Sequence, residues 1–179
     1  MFHKDSKLLF YLSFPTTVLI HFPVYPLSHV LSHHKYAGTK HDAVTCPKNK
    51  SVYQYIVDTW IEGYQFVWNY DKKKFFACIS IFVAYIGIIT YYSYKEYQDW
   101  DLALRKVGFF WGLSAFGFCL FESFEYIEHY GLVMRNKEDE VNEKCSWNHQ
   151  ENTLGNILTF KVNRHSDHHM FAYKYYSVL

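Results

Sequence analysis

Seven of the eleven histidines in this chain fall in three short runs. One reads His29-Val30-Leu31-Ser32-His33-His34, one reads Tyr126-Ile127-Glu128-His129-Tyr130-Gly131, and the last reads Asn163-Arg164-His165-Ser166-Asp167-His168-His169. Neutral imidazole is the commonest protein ligand for iron, copper and zinc. On a helix, positions i, i+3 and i+4 share a face, so His165, His168 and His169 are expected to converge on one point. His29 and His33 are also four apart, with His34 beside them. Such clusters are hard to read as packing residues, and the chemistry they point to is metal binding.

The elements that must position these runs are apolar. Phe75 to Tyr92 is eighteen residues without a charge, directly preceded by Lys72-Lys73-Lys74. That length suffices to cross a bilayer, and the lysines mark its first end as cytoplasmic. A second segment, Val107 to Phe121, extends to Phe124 if Glu122 faces protein or the interface. Its glycines suit close helix packing in lipid. Two crossings would return the chain to its starting side and allow all three histidine runs to meet there. Leu8 to Leu27 is apolar but carries Pro15, Pro23 and Pro26, so a short helix followed by an irregular interfacial piece is expected. Lys35 to Lys50 reads as a loop, Ser51 to Tyr70 as an interfacial helix, and Asn136 to Gln150 as a charged loop. One domain, 1–179, is the expectation for 179 residues.

Composition narrows the class. Half of the residues are hydrophobic and 21% are aromatic, with a net charge of +1, which implies no general attraction to nucleic acid. Cys46, Cys78, Cys119 and Cys145 contain no C-x-x-C pair and suggest neither a disulfide framework nor a cysteine zinc site. Cys78 and Cys119 lie in apolar runs and read as small buried hydrophobes. Neither His29 nor His165 is followed by Glu, so the H-E-x-x-H zinc protease pattern fails. Glu125 and Glu128 are three apart, but the chain offers too few inward carboxylates for a soluble di-iron bundle. A haem needs only one or two axial histidines. His21, His41 and His149 stand outside the runs and are read as surface or interfacial residues. Trp60, Trp68 and Trp111 read as interface anchors or as residues packed between helices, and Phe109, Phe110 and Phe116 as channel, lipid-facing or core residues.

The strings His3-Lys4, His29-x-x-x-His33-His34, Tyr126-x-Glu128-His129-Tyr130-Gly131-Leu132 and Asn163-Arg164-His165-Ser166-Asp167-His168-His169 resemble the motifs of membrane-bound alkane 1-monooxygenases, within the fatty-acid desaturase and hydroxylase superfamily. The resemblance covers essentially the whole chain. It implies an all-α integral membrane fold, with transmembrane helices and a cytoplasmic-side, histidine-rich di-iron site. In that family nine histidines hold two irons. The positions that match are His3, His29, His33, His34, His129, His165, His168 and His169, with Glu128 and Asp167 as carboxylates that orient imidazoles. The chain departs from the family at Ser28, where Glu is usual, and at Val162-Asn163, where Leu-Gln is usual.

The function implied is hydroxylation of the terminal carbon of an alkane or related alkyl chain with O2. Electrons would come from a rubredoxin-like donor, since no flavin or Fe–S pattern is present. The first family box, H-E-x-x-H-K, matches here only in its last four positions, Met1 to Lys4. The chain therefore reads as N-terminally truncated relative to the family and is expected to be inactive alone. Two rivals stay open: a non-catalytic fragment or subunit that keeps the metal site, and a related fatty-acyl hydroxylase or desaturase.

Overall fold

A computed structural model of the chain describes residues 7–132, 135–137, 139–148, 153–158 and 163–174. His3 and His149 lie outside the described residues. Helices dominate, and among the described residues there is no strand, only isolated bridges between Cys46 and Tyr130 and between Asn148 and Arg164.

The first helix, α1 (Lys7–Leu19), keeps Pro15 inside it. A turn leads to α2 (Tyr25–Ser28), which runs without a break into a π-helical turn, His29–His33, and a last short turn, α3 (His34–Tyr36). After a loop, the Ser51 side chain accepts from the Gln54 backbone N–H and so starts α4 (Val52–Tyr70). Tyr55, Thr59, Gly63 and Val67, four residues apart, form the buried stripe of α4. Gly63 is required there, because a Cβ at that position would meet the Phe22 ring at 2.6 Å.

Asp71 caps α5 (Lys72–Tyr97) by accepting from the N–H groups of Lys73 and Lys74. Gln98 takes a left-handed conformation, and Asp99 at once caps α6 (Trp100–His129). The two long helices thus form an antiparallel hairpin. Its tip is fixed by a Glu96–Lys106 ion pair at 2.6 Å and by stacking of Tyr94 on Trp100. Both are longer than the uncharged runs that mark them. Both are also long and apolar enough to cross a membrane, and only 6% and 11% of their apolar stretches are buried within the chain. Outward-facing side chains such as Phe76, Ile81, Val83, Phe109, Leu113 and Phe116 give them the surface of lipid-facing helices rather than of a soluble core. Cys78 is buried between elements, but Cys119 is exposed on α6, contrary to the reading of both as buried.

The core lies where α1, α2, α4 and the hairpin meet. Phe22 packs edge-on against Phe118, and Tyr25 against Phe121, among Phe14, Val24, Leu27, Val67 and Cys78. Beyond α6 come a 3-10 turn (Glu143–Cys145), α7 (Thr153–Leu158) and α8 (His165–Met170).

Candidate metal centre

The last turns of α6 carry the wall of the site. Glu122, Glu125 and Glu128 recur every three residues, and all three are buried with His129. Thr59 on α4 donates to Glu122 at 2.8 Å, so α4 and α6 are joined through a polar contact below the site. The chain leaving α6 is tied down on every side. Gly131 N–H donates to the Cys46 carbonyl, Trp147 N–H to that of Glu128, and the Tyr126 hydroxyl to that of Lys50. Gly131 has φ +71°, a left-handed conformation that glycine adopts without penalty. Arg135 reaches back to the carbonyls of Lys35 and Ala37, which fastens this loop to the segment that follows His34.

The second wall is the π-helical turn. In an α-helix, residue i+5 is rotated by about 140° from residue i. The wider π turn, in which His34 N–H donates to the His29 carbonyl, brings the two side chains together instead. Their Nε2 atoms are 3.1 Å apart. The third wall is α8. Asn148 Oδ1 accepts from the N–H groups of Ser166 and Asp167, serving its first turn as a cap supplied from another segment.

Seven histidines meet between these walls, in two adjoining groups. His33, His129, His165 and His169 form one, and His29, His34 and His168 form the other. The expected convergence of His165, His168 and His169 on one point does not occur. One turn apart, His165 and His169 face the first group, whereas His168 faces the second. In the same way His33 separates from His29 and His34. The rings of His34 and His169, stacked with centroids 4.5 Å apart, form the partition between the groups.

The hydrogen bonds of the outer ring nitrogens tell what the inner ones can do. His129 Nδ1 donates to the Cys145 carbonyl at 2.9 Å, which leaves a lone pair on Nε2 in the neutral ring. His33 Nδ1 pairs with Asp42 at 2.9 Å, and its buried Nε2 has no hydrogen-bond partner. His165 Nδ1 faces Glu128 Oε2 at 3.1 Å. Burial, then the neighbouring His33, pushes the His169 imidazole well below its usual range, so it is neutral at pH 7. His165 Nε2 lies 3.1 Å from both His129 Nε2 and His169 Nε2. At that distance either one ring's N–H donates to the next ring's lone pair or a cation lies between two lone pairs, and about 3 Å is also the separation of adjacent ligands on a metal with bonds of about 2.1 Å. The residues fit a metal ion.

Asp42 was not visible as a site residue in the sequence. It sits in a loop nine positions after His33, with no periodicity to link them. Glu122 reads in the sequence only as a residue facing protein or the interface, and Glu125 only as one of too few carboxylates for a soluble di-iron bundle. The described contacts of Asp167 are through its backbone. His21 packs between Phe82 and Trp111, and His41 stands at the surface, both apart from the two groups.

Two cavities lie within the helices, and only the first reaches the histidine groups. A polar one of about 300 Å³ reaches His29, His33, Asp42, Glu122 and Glu125. An apolar one of about 490 Å³ lies between α4 and the hairpin, walled by Trp60, Tyr64, Phe82, Trp111 and Phe118.

Residues 4–179 match the family described as fatty acid desaturase. The chain belongs to that family. Among individual proteins it is 29% identical, over its whole length, to alkane 1-monooxygenase 2 of Alcanivorax borkumensis, covering 49% of that protein. It is 28% identical, again over its whole length, to alkane 1-monooxygenase 1 of Pseudomonas aeruginosa, covering 49%. To the xylene/toluene monooxygenase hydroxylase component XylM of Pseudomonas putida it is 24% identical over 82% of the chain. The chain spans about half the length of the curated relatives it matches. Fatty acid desaturase membership, the alkane monooxygenase relatives and the histidine groups agree with the resemblance read from the motifs.

Proposed function

We propose that this chain carries the metal centre of a membrane hydroxylase, a di-iron monooxygenase that places one oxygen of O2 on the terminal carbon of an alkane or related alkyl chain. The observation that carries the reading is the pair of adjoining histidine groups, built where the helix hairpin ends. The names of its relatives supply the substrate class.

In this reading His33, His129, His165 and His169 hold one iron, and His29, His34 and His168 hold the other; His3, outside the described residues, is a further ligand implied by the resemblance. Bound there, the irons supply the reduction of dioxygen and the transfer of oxygen to a C–H bond. The chain's own residues bind and orient. Asp42 fixes the tautomer of His33, so that the nitrogen opposite it faces inward as a lone pair, and Glu128 Oε2 stands 3.1 Å from His165 Nδ1. The Cys145 carbonyl does the same for His129. The apolar cavity beside Phe118 offers an alkyl chain a dry wall one helical turn below Glu122. Electrons come from a rubredoxin-like partner, and the metal centre faces the cytoplasm.

Elemental analysis of the detergent-purified chain tests this. Iron is expected at up to two per chain, and His168→Ala is expected to lower it by emptying the three-histidine group while sparing the other. Octane hydroxylation with an electron-transfer system tests the activity: little is expected of the chain alone, and turnover is expected once it is extended by the segment that supplies the rest of the first histidine box. Zinc alone, or an iron content that ignores His168→Ala, would sink the proposal.

A further inference from the structure

We propose that Glu125 is itself a metal ligand: its Oε2 supplies a carboxylate donor to the four-histidine group, beside His129 and His165. This rests on the metal-centre reading above and adds an anionic donor to a set that is otherwise neutral imidazole.

Glu125 is 6% exposed. It stands one helical turn before His129, so the two side chains share a face of α6. Its Oε1 accepts from the Tyr25 hydroxyl at 3.3 Å, which turns the carboxylate so that Oε2 points at the histidines. That Oε2 is buried and has no hydrogen-bond partner. It lies 3.9 Å from His129 Nε2 and 3.8 Å from His165 Nε2, while those two nitrogens are 3.1 Å apart.

Two explanations compete for this triangle. A hydrogen bond from a charged imidazole to the carboxylate would close to about 2.7–2.9 Å. The observed separations are an ångström too long. The proton of His129 is in any case on Nδ1, donated to the Cys145 carbonyl. A shared cation accounts for the spacing directly. One point lies about 2.1 Å from all three atoms, and that is the length of a metal bond to imidazole nitrogen or carboxylate oxygen. A cation at that point gives the buried oxygen the partner that burial otherwise denies it.

The two carboxylates nearest His129 thus differ in kind. Glu128 Oε2 stands 3.1 Å from the outer nitrogen of His165, whereas Glu125 Oε2 faces the inner nitrogens. An oxygen donor also biases the four-histidine subsite toward iron or manganese and away from cuprous ion, which prefers sulfur.

The test loads the detergent-purified full chain with ferrous iron and reads the Mössbauer spectrum and the iron dissociation constant. Glu125→Gln keeps the size of the side chain and an acceptor for Tyr25 but removes the anionic donor. Its iron affinity at one subsite is expected to fall by about tenfold or more. One of two iron signals should shift, and the other should stay in place. Tyr25→Phe, which leaves every ligand present but unaims the carboxylate, should move the same signal; it decides the matter if Glu125→Gln does not fold. Wild-type affinity and an unchanged spectrum in a folded Glu125→Gln, or in Tyr25→Phe when only that variant folds, overturn the proposal. If His169→Ala loses iron while the Glu125 and Tyr25 variants behave as wild type, only the carboxylate ligand fails. If the wild-type chain takes up no iron at all, the metal-centre reading fails with it.

Discussion

Replacing Asp42 by Asn keeps the shape of its contact with His33 but removes the charge that holds the proton on Nδ1. Groups behind a metal-bound imidazole typically contribute about 10–100-fold in metal affinity. Asp42→Asn should therefore weaken iron binding within that range in the four-histidine subsite, with the helical content of the protein unchanged by circular dichroism. The same substitution at Asp167 should do much less, because its described contacts are backbone ones; equal losses at the two positions would show that the side chains do not have these separate roles. Sequence reasoning found the histidines because their spacing is local. It could not assign them to subsites, since adjacent His33 and His34 look equivalent until the backbone pitch is known. Nor could it find Asp42, whose partnership with His33 exists only after the loop folds back.

At the scale of elements, the apolar runs located α5 and α6, but the uncharged stretches ended too early. Glu122, Glu125 and Glu128 look like the end of a membrane segment when charge alone is counted. Their three-residue spacing puts them on one inward face, so the helix continues through them to His129. The π turn left no mark that a search for 3.6-residue periodicity would detect. Helix α4 was legible as a helix, but its seat against α2 depends on Gly63 beneath the Phe22 ring. Gly63→Ala should drive that buried ring out of place. Overpacking of this kind costs about 1–3 kcal/mol, and a lowered Tm in detergent is the expected result. A Tm at or above wild type would mean that Phe22 moves aside freely.

For the whole molecule, the hairpin makes a prediction about sidedness. The loop around Asn49 and the end of α6 stand at one end of α5 and α6, joined by the bond from Asn49 N–H to the Tyr130 hydroxyl. The tip at Gln98 stands at the other. Cysteines introduced at Asn49 and Gln98 should be labelled by an impermeant reagent from opposite faces of sealed vesicles, the first from the cytoplasmic face. Labelling of both from one face would mean that the hairpin does not span. The helical class and the pair of apolar helices could be read from hydropathy. The packing of α1, α2 and α4 onto the hairpin could not, because Phe14, Phe22, Val67 and Phe118 are far apart in the chain and nothing in their local pattern pairs them.

The thirty residues of α6 give it a length of about 45 Å, against about 30 Å for the hydrocarbon of a bilayer. Its uncharged stretch stops at Phe121, and His129 lies about 12 Å further along the axis. Under the proposed function, the centre would thus stand off from the oil in which an alkane dissolves. Each methylene group drawn into water costs about 0.8 kcal/mol, so a molecule that climbs that gap must be sheathed in protein for the whole ascent. The stand-off is a ruler. Under the proposed function, a short alkyl chain that reached the centre would have left the oil entirely, whereas a longer one would keep its tail dissolved while its methyl end reacted.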